Sequence, residues 1–231
     1  MAIFLHELVR TVGARTDSYL DSVAEHQGRS AAKTGRRDTL VGVFRALEVS
    51  GETPQGVNLW RWGGWEDAAA ILGRQFEPQT QDPALKSWWL GNLDLRRGGF
   101  DRLLESASGS TDVAELRARG IAAEIFLHEI VALEPNEREG YLGALGDEGA
   151  AAFASAGATL VGAYRSVFRD DEAVSLVAFP SVAALAGWAV TWHGERGDAV
   201  GRWRARAAAG VRARQTLVLR ARHFLTSPWH T

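Results

Sequence analysis

The heptapeptide IFLHELV begins at Ile3, and IFLHEIV begins at Ile125 with one conservative change. A chain that writes one apolar run twice is constrained first by its own symmetry. Tyr19-Leu20 falls on Tyr141-Leu142 at the same offset of 122, and TLVGVFR from Thr39 falls on TLVGAYR from Thr159 at 120. LWRW from Leu59 meets LVAF from Leu176 at 117, and Trp89 and Leu103 can be laid on Trp203 and Leu217 at 114. The offset only shrinks, and it changes between matched blocks. A duplicated unit whose second copy has shorter loops behaves this way, which predicts repeats over residues 1–112 and 113–231. The polar stretch 107–120 would alternatively serve as a linker between two independent domains.

Each repeat has the same order of local patterns. The FLHE runs are short, apolar and strand-like. Thr16 or Asp17 can cap a helix reaching about Lys33, with Tyr19, Leu20, Val23 and Ala24 on one face. Its counterpart runs from about Asn136 to Ser155, interrupted by glycines. TLVGVFRAL and TLVGAYRSVF are second strands, and GVNLWRW and AVSLVAF are third strands leading into Ala-rich helices. A further helical stretch precedes a last strand, near 101–107 and 214–223. The order is β-α-β-β-α-β twice, an α+β class with ferredoxin-like repeats. Gly42 and Gly162 match inside the second strands and predict close approach of a helix or ligand there.

The FLHE strand, the Tyr-Leu helix, LVGAYR and the aromatic-rich third strand together resemble the NIPSNAP-like branch of the dimeric α+β barrel proteins. The resemblance implies that two ferredoxin-like units pair their sheets into a closed barrel. Here the pairing would be intramolecular, a pseudo-dimer in one chain. A four-stranded sheet covered on one side by helices leaves its other face and edges in need of a partner, which supports that reading.

Composition removes several classes of function. Twenty-six basic side chains stand against 28 acidic ones, so no broad electropositive face is available for nucleic acid or an anionic membrane. The absence of cysteine excludes disulfides, thiolate metal sites and a cysteine nucleophile. No run approaches the ~20 apolar residues of a membrane span, and Met1 leads into AIFLHELV without a secretory pattern, so the expectation is a cytoplasmic protein. The six histidines, at 6, 26, 128, 193, 223 and 230, show no metal-ligand spacing, and there is no Rossmann or Walker glycine pattern. No cofactor is predicted. Heme stays open on the resemblance, because other branches of the barrel superfamily hold it through a histidine.

Strand alternation puts Phe4, His6 and Leu8 on one face and Leu5, Glu7 and Val9 on the other, and it treats His128 and Glu129 alike. An imidazole or a desolvated carboxylate facing an enclosed space is a plausible general base, so His6, Glu7, His128 and Glu129 are the catalytic candidates, with the histidines favoured as the inward pair. Duplication would copy a structural His or Glu just as faithfully. Trp60, Trp62, Trp88 and Trp89, with Trp65 nearby, crowd the first repeat, where large aromatics would suit a flat apolar ligand. Phe4 and Arg45 complete the candidate binding set, and Arg10, Arg45 or Arg165 could present a guanidinium to an anion. Arg45 and Arg165 are equivalent positions, which favours a shared structural ion pair. Arg96 and Arg97, before two glycines, read as a solvated turn.

The resemblance implies a small-molecule enzyme of bacterial secondary metabolism, cofactor-independent and of cyclase, isomerase or oxygenase type. It would abstract a proton beside a carbonyl with His6 or Glu7, while an Arg or Trp N–H stabilises the oxyanion. The competing readings are a non-catalytic ligand-binding or scaffold module and a heme protein. Association into a homo-oligomer through the outer helices is compatible with all of them.

Overall fold

Both repeats form the expected strands, and they do so in matching register. In the computed structural model, residues 2–34, 39–79, 81–121, 123–193 and 198–225 are described, the side chains of 28–34 and 39 excepted. The first repeat comprises β1 (Ile3–Thr11), α1 (Thr16–Thr34), β2 (Thr39–Ala46), β3 (Gln55–Trp62), α2 (Trp65–Phe76), α3 (Pro83–Gly91) and β4 (Arg96–Ser106). The second comprises α4 (Val113–Arg119), β5 (Ile125–Leu133), α5 (Arg138–Ala144), α6 (Ala150–Ser155), β6 (Thr159–Ser166), β7 (Glu172–Phe179), α7 (Val182–His193), α8 (Ala199–Ala208) and β8 (Val211–Phe224). The strands close into a barrel in the order β1-β3-β2-β8-β5-β7-β6-β4. This is the dimeric α+β barrel architecture within one chain.

Antiparallel pairing sets Glu7 opposite Asn58 and Leu5 opposite Trp60. In the second repeat Glu129 lies opposite Ser175 and Leu127 opposite Val177. The chain divides into two compact units. One gathers Met1–Glu48, Glu52–Leu103 and Arg222–Thr231, and the other Val49–Gly51 and Leu104–Ala221.

Helix-side packing differs between the units. In the first, Val9, Tyr19, Leu20, Val23, Ala24, Leu40, Val43 and Trp60 form one cluster, while Trp62 packs with Ile3, Ala68 and Ile71 of α2. The second has a larger cluster in which Phe153 packs against Trp188 at 4.7 Å and Trp203 at 6.5 Å between centroids. Each such side chain contributes roughly 1.5–3 kcal/mol by leaving water.

Three expectations about local structure are corrected. The second-repeat helix over 136–155 is broken by a π-helical turn at Leu145–Gly149. A Cβ at Gly146 would lie 2.8 Å from Ser108 O, so the backbone there is shaped by close approach of the 108–109 loop. The close approach at Gly42 and Gly162 comes from the same strand rather than from a helix. Each sits at a register shift, and the aromatic two residues on in its own strand, Phe44 or Tyr164, folds over it. Lastly, β4 begins at Arg96 rather than near 101, so Arg96 and Arg97 belong to a strand. Val12 N–H donates to Leu95 O at 3.1 Å, and the bare Cα of Gly99 lets β4 pass the Leu8 carbonyl, where a Cβ would lie 2.5 Å away. Among the described residues no helix is long and apolar enough to cross a membrane.

Candidate functional site

Phasing of β1 decides which half of the His-Glu pair meets the helices. Leu5 and Val9 pack into the helix-side core, so Glu7 between them lies on that face and His6 lies on the opposite one. The second repeat is phased alike. His128 is buried, with Nδ1 2.8 Å from Ser175 O, and Glu129 points toward α5 and β8 residues.

Glu7 is partly buried, and its two oxygens have different surroundings. Trp60 Nε1–H donates to Oε2 at 2.8 Å, and Asn58 Nδ2–H donates to the same oxygen at 3.1 Å. Oε1 accepts no hydrogen bond among the described residues. One oxygen is therefore pinned by two neutral donors while the other remains available. The second hydrogen of Asn58 Nδ2 goes to Tyr19 Oη at 3.1 Å, so a single amide nitrogen ties the carboxylate of β1 to the phenol of α1. Asn58 Oδ1 is buried and accepts nothing among the described residues.

Electrostatics set Glu7 apart from an ordinary surface carboxylate. Burial pushes its pKa up, and the charge of Asp101 raises it further. The Trp60 and Asn58 hydrogen bonds and the Arg96 charge pull the other way without cancelling the rise. Asp101 is exposed over the residue as a whole, yet partial desolvation of its carboxyl also raises its pKa, against Arg96 and Arg102. Tyr19 is held well above its usual range, first by burial and then by the Glu7 charge.

The helix over this site is fastened from the sequence upward. Asp82 caps α3 by accepting from Ala84 N–H at 2.8 Å, with Pro83 at the first helical position. Trp88 then donates its indole N–H to Ser22 Oγ at 2.9 Å and stacks on His26 of α1 at 4.4 Å. The next residue, Trp89, is 45% exposed and carries the Arg96 guanidinium over its ring at 4.2 Å. The Arg96 charge lowers the pKa values of Tyr19, Glu7 and Asp101.

The second repeat keeps the carboxylate and changes everything around it. Ser175 and Val177 stand where the first repeat has Asn58 and Trp60. Arg214 pairs with Glu129 Oε1 at 3.2 Å, Thr216 donates to the same oxygen at 3.3 Å, and Arg214 also reaches Ala207 O at 2.7 Å. Tyr141 Oη and Ser175 Oγ are buried and unpartnered among the described residues.

Phe4 is buried on the His6 face, and Trp62 packs against α2. Arg10, Arg45 and Arg165 are ion-paired, with Glu52 at 3.1 Å, Asp17 at 3.3 Å and Glu139 at 2.9 Å. The structure thus brings Glu7, Trp60, Trp88 and Trp89 to one region and adds Tyr19, Asn58, Arg96 and Asp101. No group of three His, Asp or Glu among the described residues is placed to hold a metal ion.

No family model matches the chain, and no curated protein sequence does. Solved structures match by shape at low identity. An anthrone oxidase-like protein is 11% identical at a TM-score of 0.66, over 96% of this chain and 92% of that one. A provisionally named monooxygenase from Lactobacillus acidophilus NCFM is 10% identical at 0.62, over 95% and 93%. A NIPSNAP family protein from Agrobacterium tumefaciens str. C58, of unknown function, is 18% identical at 0.35, over 44% and 85%. The first two share the fold along nearly the whole of both chains.

Proposed function

We propose that the first repeat carries the active site of a cofactor-independent small-molecule enzyme of oxygenase type, with Glu7 as its general base. One observation carries the reading: Glu7 Oε2 is fixed by two uncharged N–H donors, while Oε1 is unengaged at a partly exposed position. A carboxylate raised above its usual range is a stronger base than a free one, and neutral donors orient it without neutralising it.

In the proposed step, Glu7 Oε1 takes the proton of a C–H beside a carbonyl. The C–H electron pair moves onto the carbonyl oxygen, giving an enolate next to Arg96. Dioxygen is the co-reactant and the substrate supplies the electrons. For a CH2 carbon the balance is one CH2 and one O2 giving one C=O and one water. Names of the structural neighbours, anthrone oxidase-like and monooxygenase, agree with this class of chemistry. His6 and His128, on the opposite face, and Glu129, paired with Arg214, have no comparable exposed acceptor in this reading.

Anthrone provides the test. Under nitrogen in deuterium oxide, the wild-type protein should accelerate exchange at the CH2 carbon, and in air it should consume oxygen. Glu7→Gln should remove both activities by about 100-fold or more, the usual worth of a positioned base, while Glu129→Gln retains them. Exchange no faster than buffer, or undiminished in Glu7→Gln, would overturn the proposal.

A further inference from the structure

Arg96 is a cation with an unusual set of neighbours. Its guanidinium lies 4.2 Å over the ring of Trp89, and its charge acts on the neutral phenol of Tyr19. Among the described residues it has no carboxylate within ion-pair distance, although Glu7 and Asp101 both feel its charge. Every other arginine considered above as an anion receptor, Arg10, Arg45 and Arg165, is already paired. So is Arg214 in the second repeat.

The fork is also held in place before any ligand arrives. Trp89 is fixed through its neighbour Trp88, which is bolted to α1 through Ser22 and His26. The backbone at Arg96 is fixed by the Val12–Leu95 hydrogen bond. A stacked guanidinium loses less freedom on binding than a loose one, and its planar donors match a carboxylate in a bidentate way. One side of the fork is apolar and half-open: Trp89 is 45% exposed and Leu93 43%.

We infer that Arg96 and Trp89 form an anion-receiving subsite, and that the substrate is a planar aromatic acid whose carboxylate is bound by Arg96. The inference deepens the reading of Glu7 as a base, since it supplies the group that orients the substrate beside that residue. Its test reads binding alone, so it can fail while the acid-base proposal stands, and the reverse.

The test compares 2-naphthoate with its neutral isostere 2-naphthamide by isothermal titration of the full chain. Wild-type protein should bind the carboxylate about tenfold or more tightly than the amide, the worth of one charge-assisted pair. That preference should shrink as salt rises. Arg96→Gln should abolish it and leave amide affinity unchanged. Arg97→Gln, one residue along the same strand, and Glu7→Gln should both keep it. Equal affinities in the wild type, binding of neither probe, or a preference that survives Arg96→Gln would overturn the assignment.

Discussion

Trp60 Nε1 lies 2.8 Å from Glu7 Oε2, and the equivalent position of the second repeat, Val177, has no such donor for Glu129. Glu129 is served by the cation of Arg214 instead, at 3.2 Å. An indole N–H orients a carboxylate and lowers its pKa modestly, whereas a guanidinium also balances its charge. The two glutamates, nearly identical in sequence context, are therefore expected to respond in opposite ways to the same substitution.

For Glu7→Gln, stability should be retained and its pH dependence should change. The folded-state pKa of Glu7 is raised. Its neutral form therefore favours folding at low pH, and that contribution is lost as pH rises through the ordinary and then the raised value. The Gln side chain imitates the neutral form at every pH, and its carbonyl can accept from Trp60 and Asn58. Melting should match wild type at pH 4 and exceed it at pH 8 by about 2–4 °C, as ~1 kcal/mol gives in a chain of this size. Scanning calorimetry at the two pH values checks this, and a lower melting point at both would count against it.

For Glu129→Gln the cost should be structural. The change leaves Arg214, whose side chain is 21% exposed, without its charge partner, although Ala207 O still accepts from it. Loss of one partner of a largely buried pair should lower stability by about 2–4 kcal/mol near neutral pH. Urea unfolding at pH 7 reads the loss as a lower midpoint at unchanged slope.

Trp60→Phe and Asp101→Asn should move the acid limb of the pH-rate profile in opposite directions. Trp60 holds the Glu7 pKa down and Asp101 holds it up. Removing the indole N–H while keeping an aromatic ring should shift the limb to higher pH, and neutralising Asp101 should shift it lower. Rates with anthrone from pH 4 to 9 decide the matter, and a shift of both limbs in the same direction would contradict the assignment of donors and charges.

Gly42→Ala and Gly162→Ala should each destabilise the barrel. The added Cβ would lie 2.5 Å from the Phe44 ring at the first position and 2.0 Å from Tyr164 Oη at the second. The aromatic has to leave its place over the bulge, at about 1–3 kcal/mol for overpacking. Relief by Gly42→Ala with Phe44→Leu, relative to Gly42→Ala alone, would identify the clash as the cause.

How much of this was legible in the letters depends on how local each cause is. The repeat gave the architecture, because duplicated strands declare themselves by matching runs such as TLVGVFR and TLVGAYR. Glu7 was legible as a candidate for the same reason. Its orientation was not, since one residue of strand phase exchanges Glu7 with His6, and only packing against α1 fixes that phase. Asn58 carried a signal, a polar residue amid the apolar centre of its strand, but its partners lie on β1 and α1 and are not local to it. Tyr19 showed only as part of a helical stripe. Arg96 was hidden by the glycines that follow it, because a strand that needs Gly99 to pass Leu8 looks, in one dimension, like a turn.

The amide of Asn58 is forked between β1 and α1. Because one nitrogen serves both Glu7 and Tyr19, no substitution at residue 58 can alter the carboxylate without also altering the phenol. In the other copy, where Ser175 stands in place of the amide, Arg214 serves Glu129 and Tyr141 Oη has no partner among the described residues, so carboxylate and phenol there are untied.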